Sequence, residues 1–219
     1  MTKSNKKIIV LIITIILIVS SIYIINKDNK NINSGKEEKI SSDIMLKDSS
    51  LRISEKSKMY KRAKELVEPD GYLNTNNLTI QENIGKKVIL VDFWTYSCIK
   101  CQRTFPYLNS WWDKYRDEGL LIIGVHTPEF EFEKDYENVK KAVEKYKIMY
   151  PVVQDNEYKT WRAYKNRYWP RKYLIDIDGF IVYDHIGEGS YEETEKKIQE
   201  LLEERSKILK LNLLMDKNI

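Results

Sequence analysis

The sequence predicts an α/β sandwich whose mixed central sheet is covered by helices on both faces, preceded by one N-terminal transmembrane helix. Three observations carry this. An unbroken apolar run at Ile8–Ile25 stands apart from the rest; β-branched runs at Val88–Trp94 and Leu120–Val125 each adjoin segments of helical periodicity; and Asp178-Gly179 marks a hairpin beyond them.

The run "IIVLIITIILIVSSIYII" has 18 residues and no charge, enough to span about 27 Å as a helix. Lys3, Lys6 and Lys7 precede it, so residues 1–7 stay in the cytoplasm, 8–25 anchor the chain in the cell membrane as a single pass, and the remainder lies outside. A cleaved signal peptide is the rival; no A-x-A site follows the run and no cysteine near residue 20 offers a lipoprotein anchor. Residues 26–58 are rich in Asn, Lys, Ser and Asp, too poor in apolar surface to fold, and read as a flexible linker.

The globular pattern runs from 59 to 205. "VILVDFW" is a continuous apolar run that encloses Asp92, the pattern of a strand buried on both faces. After it, Phe105, Leu108, Trp111, Trp112 and Tyr115 keep helical spacing towards a C-cap at Gly119, with Pro106 as a kink. "LLIIGV" is the second buried strand. A helix over 135–146 and a short strand over 151–155 complete a parallel βαβ unit. A helix over 157–166 precedes the hairpin "KYLIDIDGFIVYDHIG". Ser190 opens the last helix with a Ser-x-x-Glu capping box, carried to Arg205. The tail 206–219 has no readable pattern.

A length of 219 residues suits one domain with appendages. The net charge of +4 is spread through the chain without a basic block carrying stacked aromatics, which argues against nucleic acid as a partner.

The two cysteines, Cys98 and Cys101, stand in "DFWTYSCIKCQRTFP". Zinc needs four ligands, and the remaining candidates, His126 and His185, are 59 residues apart, unlike the close pairs of zinc fingers. Two thiolates with one distant histidine suit Cu(I) better, which keeps a copper chaperone as an alternative. As a staple the pair is weak: a four-residue ring gains about 2 kcal/mol by the loop-entropy estimate, against about 4.7 for a 100-residue loop. As a redox couple it is strong, because the second thiol attacks a mixed disulfide intramolecularly. Cys98 lies where a strand ends and a helix begins, so unpaired backbone N–H groups and the helix dipole favour its thiolate, with Lys100 beside it. Cys101 lies one turn into the helix and keeps its proton until it resolves the intermediate. Neither a cofactor nor a metal ion is called for.

"VDFWTYSCIKCQRTFP" resembles the thioredoxin active-site region, with Asp92, Trp94, the C-x-x-C and Pro106 in matching places. "GYLNTNNLTIQENIGKKVILVDFWTYSC", "GVHTPEF" and "YWPRKYLIDIDG" further resemble the extracytoplasmic thioredoxin-like domain of DipZ-type proteins, a branch of the TlpA-like thiol-disulfide oxidoreductases, over about residues 60 to 204. Ser97 replaces the family's tryptophan and Ile99-Lys100 its Gly-Pro, so the resemblance fixes the reaction class better than its direction. It implies a thioredoxin-like fold, a disulfide alternating between Cys98 and Cys101, Asp92 as proton acceptor for Cys101, and a cis-proline at Pro170 facing the cysteines. Trp169, Pro170, Trp94, Tyr96, Lys100, His126 and Glu129 are the candidates for contact with substrate. By the same analogy the substrates are disulfide-containing extracytoplasmic proteins, cytochrome c apoproteins among them, and a CcdA-type membrane protein supplies electrons. A peroxiredoxin-like reading also exists, because "TYSC" fits T-x-x-C.

Overall fold

Strand β3 (Val88–Trp94) holds the centre of the sheet and explains the architecture around it. It pairs parallel with β4 (Leu120–His126) and antiparallel with β6 (Arg171–Ile175), and its seven residues are all buried, as a run without polar alternation requires. With β1 (Lys61–Arg62), β2 (Gly71–Leu73), β5 (Val152–Gln154) and β7 (Phe180–Ile186) it forms a seven-stranded mixed sheet ordered β1-β7-β6-β3-β4-β5-β2. The computed structural model describes residues 49–216 together with Ser20, Ser21, Tyr23 and Lys47. The span expected at 8–25, those three residues apart, lies outside them, and among the described residues no helix is long and apolar enough to cross a membrane.

Side chains alternate across the sheet with a period of two. Val88, Leu90 and Trp94 face a layer containing α2 (Ile99–Tyr115), α3 (Tyr136–Lys145) and α5 (Tyr191–Asp216), where Phe105, Leu108, Trp111, Val139, Val143 and Ile198 pack against them. Ile89, Val91 and Phe93 face the other layer, closed by Leu66, Ile80 and Tyr164, the last of these capping α4 (Lys159–Ala163). The parity puts Asp92 on the α2 side, between Leu90 and Trp94.

Three boundaries differ from the sequence reading. Residues 49–59, the end of the expected linker and the first residue of the expected domain, are helical (α1), and Lys56 Nζ reaches Asp176 at 2.6 Å, Asp178 at 2.9 Å and Glu204 at 2.7 Å. Ion pairing fixes this turn, so apolar patterning did not reveal it. Helix α2 stops at Tyr115, four residues before Gly119, although Gly119 has φ +113 and accepts the turn that follows. Helix α5 continues through Asp216, because nothing after Arg205 in "SKILKLNLLMD" is a glycine or proline that would end it. The hairpin turn occupies 176–179, with Gly179 at φ +86 and Asp176 Oδ1 accepting the Phe180 N–H at 2.8 Å.

Candidate active site

Cys98 is the N-cap of α2. Its backbone is extended (φ −69, ψ 111) and its Sγ accepts the Cys101 N–H at 3.4 Å, meeting one of the donors that a helix start leaves unpaired. The hydrogen bond with the Cys101 thiol, helped by the backbone N–H groups of Cys101 and Lys100, brings Cys98 down to about 6 against partial burial and the charge of Glu129. Cys101 is buried, and desolvation first, then its place beside Cys98, pushes its thiol well above the ordinary value. Both cysteines are free thiols. The pair is therefore asymmetric at neutral pH: one half-exposed thiolate and one buried thiol.

Beneath them lies Asp92, 1% exposed, with neither carboxylate oxygen hydrogen-bonded among the described residues. Burial pushes Asp92 up to about 7, opposed by Lys172 and reinforced by Cys98. In the β3–β6 register Asp92 stands directly opposite Lys172. Lys172 is fully buried, its Nζ donates to the Gly187 carbonyl at 3.2 Å, and burial lowers its pKa while Asp92 and Cys101 raise it. On the other flank Asp92 faces Gly124 of β4. A Cβ there would meet Trp94 Nε1 at 2.8 Å and the Tyr150 ring at 3.2 Å, so glycine admits these polar rings beside Asp92. Trp94 Nε1 and the Tyr150 hydroxyl also lack hydrogen-bond partners among the described residues. Buried polar groups are normally paired, and here three residues with polar atoms that lack described partners stand together around Gly124.

The Trp169-Pro170 peptide bond is cis. Trp169 Nε1 donates to the Thr127 carbonyl at 3.0 Å, tying the segment before β6 to the loop after β4. Tyr96 is half-buried, its hydroxyl on the Phe132 carbonyl at 3.1 Å, while Lys100 and Glu129 are exposed. Two other expected wall residues lie beneath the surface. Trp94 is fully buried, packed edge-on against Phe105. His126 is buried between Trp94 and Tyr96, with Nε2 3.4 Å from Thr95 Oγ1; desolvation lowers it to about 4, so it is neutral at pH 7. Their even parity on β3 and β4 turns both towards the α2 layer, beneath the surface.

Sequence reasoning passed over Lys172, Tyr150 and Glu133. Glu133 is buried although it belongs to the charged stretch "EFEFEK". Its carboxylate accepts N–H groups of Ser97 at 3.2 Å, Glu129 at 2.6 Å and Phe130 at 3.0 Å. Burial opposes its ionisation, yet these bonds hold it below the ordinary value, so it locks the loop before Cys98 to the loop after β4. Only the strand register signals Lys172, and nothing local in the sequence signals Glu133. Among the described residues the converging set of metal-capable groups is Asp176, Asp178 and Glu204, with Lys56 seated among them.

Residues 45–184 match the model of the AhpC/TSA family. The chain is 46% identical over 143 residues to Protein DipZ of Mycobacterium tuberculosis (strain CDC 1551 / Oshkosh), covering 64% of this chain and 21% of DipZ, about a fifth of that longer protein. It is 30% identical to the thiol-disulfide oxidoreductase YkuV of Bacillus subtilis (strain 168), covering 64% of this chain and 93% of YkuV. The solution structure of a thioredoxin-like protein in its oxidised form superposes with a TM-score of 0.61 at 29% identity, over 66% of this chain and 97% of that one. A half-exposed cysteine at a helix N-cap, a buried partner thiol behind it and these matches agree: the chain belongs to the AhpC/TSA family, as a thioredoxin-like homologue of the thiol-disulfide oxidoreductases.

Proposed function

We propose that the chain is a membrane-anchored, extracytoplasmic thiol-disulfide oxidoreductase that reduces protein disulfides through Cys98 and Cys101. The opposite setting of the two thiols carries the reading: a thiol near 6 and half exposed attacks, whereas a buried thiol above its ordinary value waits. The Cys98 thiolate attacks one sulfur of the substrate disulfide, forming a mixed disulfide and expelling the first substrate thiolate, which takes a proton from water. Cys101 then loses its proton to the Asp92 carboxylate and attacks Cys98 Sγ. The second substrate thiolate leaves, the Cys98–Cys101 disulfide forms, and two electrons have passed to the substrate. A group near 7 changes protonation readily at neutral pH, as this transfer requires.

Tyr96, Lys100, Glu129, Trp169 and cis Pro170 are positioned to receive the substrate. Proline has no N–H, so the chain beside it stays open for an extended peptide to pair. The charge-free run at 8–25 with lysines before it supports the external location, which requires electrons from within; a CcdA-type membrane donor fits, with cytochrome c apoproteins or related secreted proteins as substrates. The peroxide alternative needs Thr95 to serve the reactive cysteine, but its hydroxyl contacts His126. For the copper alternative, the candidate third ligand His126 is packed between aromatic rings.

The test uses the full-length reduced chain and a peptide disulfide, with thiol release as readout. Cys98→Ser abolishes reduction, and Cys101→Ser accumulates a mixed disulfide at Cys98; reduction that survives Cys98→Ser overturns the reading.

A further inference from the structure

A groove of about 390 Å³ opens between the loop leading into Cys98 and one face of α3. Its walls include Tyr96, Ser97 and Gln102 on the dithiol side and Asn138, Lys141 and Lys145 on the helix, and no carboxylate lines it. It begins one residue before the nucleophile. Gln102 Nε2 donates to the Tyr96 carbonyl at 2.8 Å and Asn138 Nδ2 to the Phe132 carbonyl at 3.1 Å, so the amides build the walls and leave the lysines as the charged groups.

Lys141 and Lys145 stand four residues apart, on one side of α3. Their neighbours find carboxylates: Lys140 pairs with Glu137 at 3.8 Å and Lys134 with Glu131 at 2.9 Å. Among the described residues Lys141 and Lys145 have no ion pair, and Lys145 Nζ sits 5.0 Å from the Tyr146 ring centroid. The exposed Glu129, in the loop after β4, also bears on the Cys98 thiolate. Behind the wall Glu133 accepts the Ser97 N–H at 3.2 Å, and Glu133 and Asp135 bear on the Tyr96 hydroxyl, so the two lysines are the charges that the groove's own lining turns to a passing peptide.

We propose that this groove is a substrate subsite for an acidic side chain, an Asp or Glu close in sequence to the cysteine that Cys98 attacks. The inference rests on the dithiol reading above and adds the substrate's charge to it. Two ammonium groups facing solvent give modest, salt-sensitive selectivity rather than tight binding.

The test compares two peptide disulfides that differ only in Glu or Lys beside the disulfide, reduced by the full-length chain. At low ionic strength kcat/KM favours the Glu peptide by about fivefold, and the gap closes as salt is added. K141Q/K145Q brings the ratio to about one and K141E/K145E inverts it. Equal rates for the two peptides with the unaltered chain, or a preference that survives K141Q/K145Q, overturns the subsite and leaves the oxidoreductase standing. Failure to reduce either peptide overturns both.

Discussion

Asp92 and Asp176 are buried to the same degree, each 1% exposed, and the protein treats them in opposite ways. Asp176 is saturated: Lys56 Nζ lies at 2.6 Å and the Phe180 N–H at 2.8 Å, with Asp178 and Glu204 sharing the same ammonium. Among the described residues Asp92 has no hydrogen-bond donor, and its counter-charge Lys172 is itself buried and bound to the Gly187 carbonyl. A carboxylate that has its donors holds structure together. One deprived of them keeps a proton that can move, at a cost in stability.

The contrast breaks most sharply at Asp92. Asp92→Asn slows resolution of the mixed disulfide about a hundredfold at pH 7, while attack by Cys98 keeps its rate; stopped-flow mixing with a peptide disulfide separates the two phases, and an unchanged resolution phase removes Asp92 from the mechanism. The same variant is more stable than the unaltered chain at pH 8. In the fold Asp92 holds its proton up to about 7 instead of 3.8. Asp92 therefore carries its proton in the folded chain and not in the unfolded one across that interval, so its contribution to stability falls as pH rises from about 4 to about 7, while that of His126, lowered to about 4 from 6.5, rises over much of the same range. Asn removes only the Asp92 part, so the thermal midpoint of Asp92→Asn gains on that of the unaltered chain as pH rises through this window.

At the other aspartate the expected effect is on stability alone. Lys56→Met leaves Asp176, Asp178 and Glu204 without their shared cation, and unfolding free energy falls by about 2 kcal/mol in denaturant titration. Disulfide reduction keeps its rate. A smaller effect is expected at Lys172: without its ammonium Asp92 rises further, so Lys172→Met moves the midpoint of the resolution phase to higher pH by about one unit, with the Cys98 alkylation profile as control.

The parts of the molecule set by apolar pattern were legible in sequence. Val88–Trp94 and Leu120–Val125 could only be buried strands, and the C-x-x-C with Asp92 six residues before it pointed to the end of the sheet where the proposed site lies. The parts set by long-range polar pairing were not. Lys172 belongs with Asp92 only through antiparallel register, Glu133 is buried because three backbone N–H groups converge on it, and Lys56 joins the fold across more than a hundred residues of chain. The two-residue strand β1 and three-residue strand β2 are too short to carry a period. Trp94 looked like part of an apolar rim from its place before the cysteines and His126 like a groove wall from its place at the end of β4, and strand parity turned both inward.

The asymmetry of the dithiol is tested most directly by alkylating the reduced full-length chain across a pH series and following each cysteine by mass spectrometry. Cys98 reacts with a midpoint near 6 and Cys101 stays protected through pH 9; both cysteines reacting together with a midpoint near the ordinary thiol value of 9.0 contradicts the account.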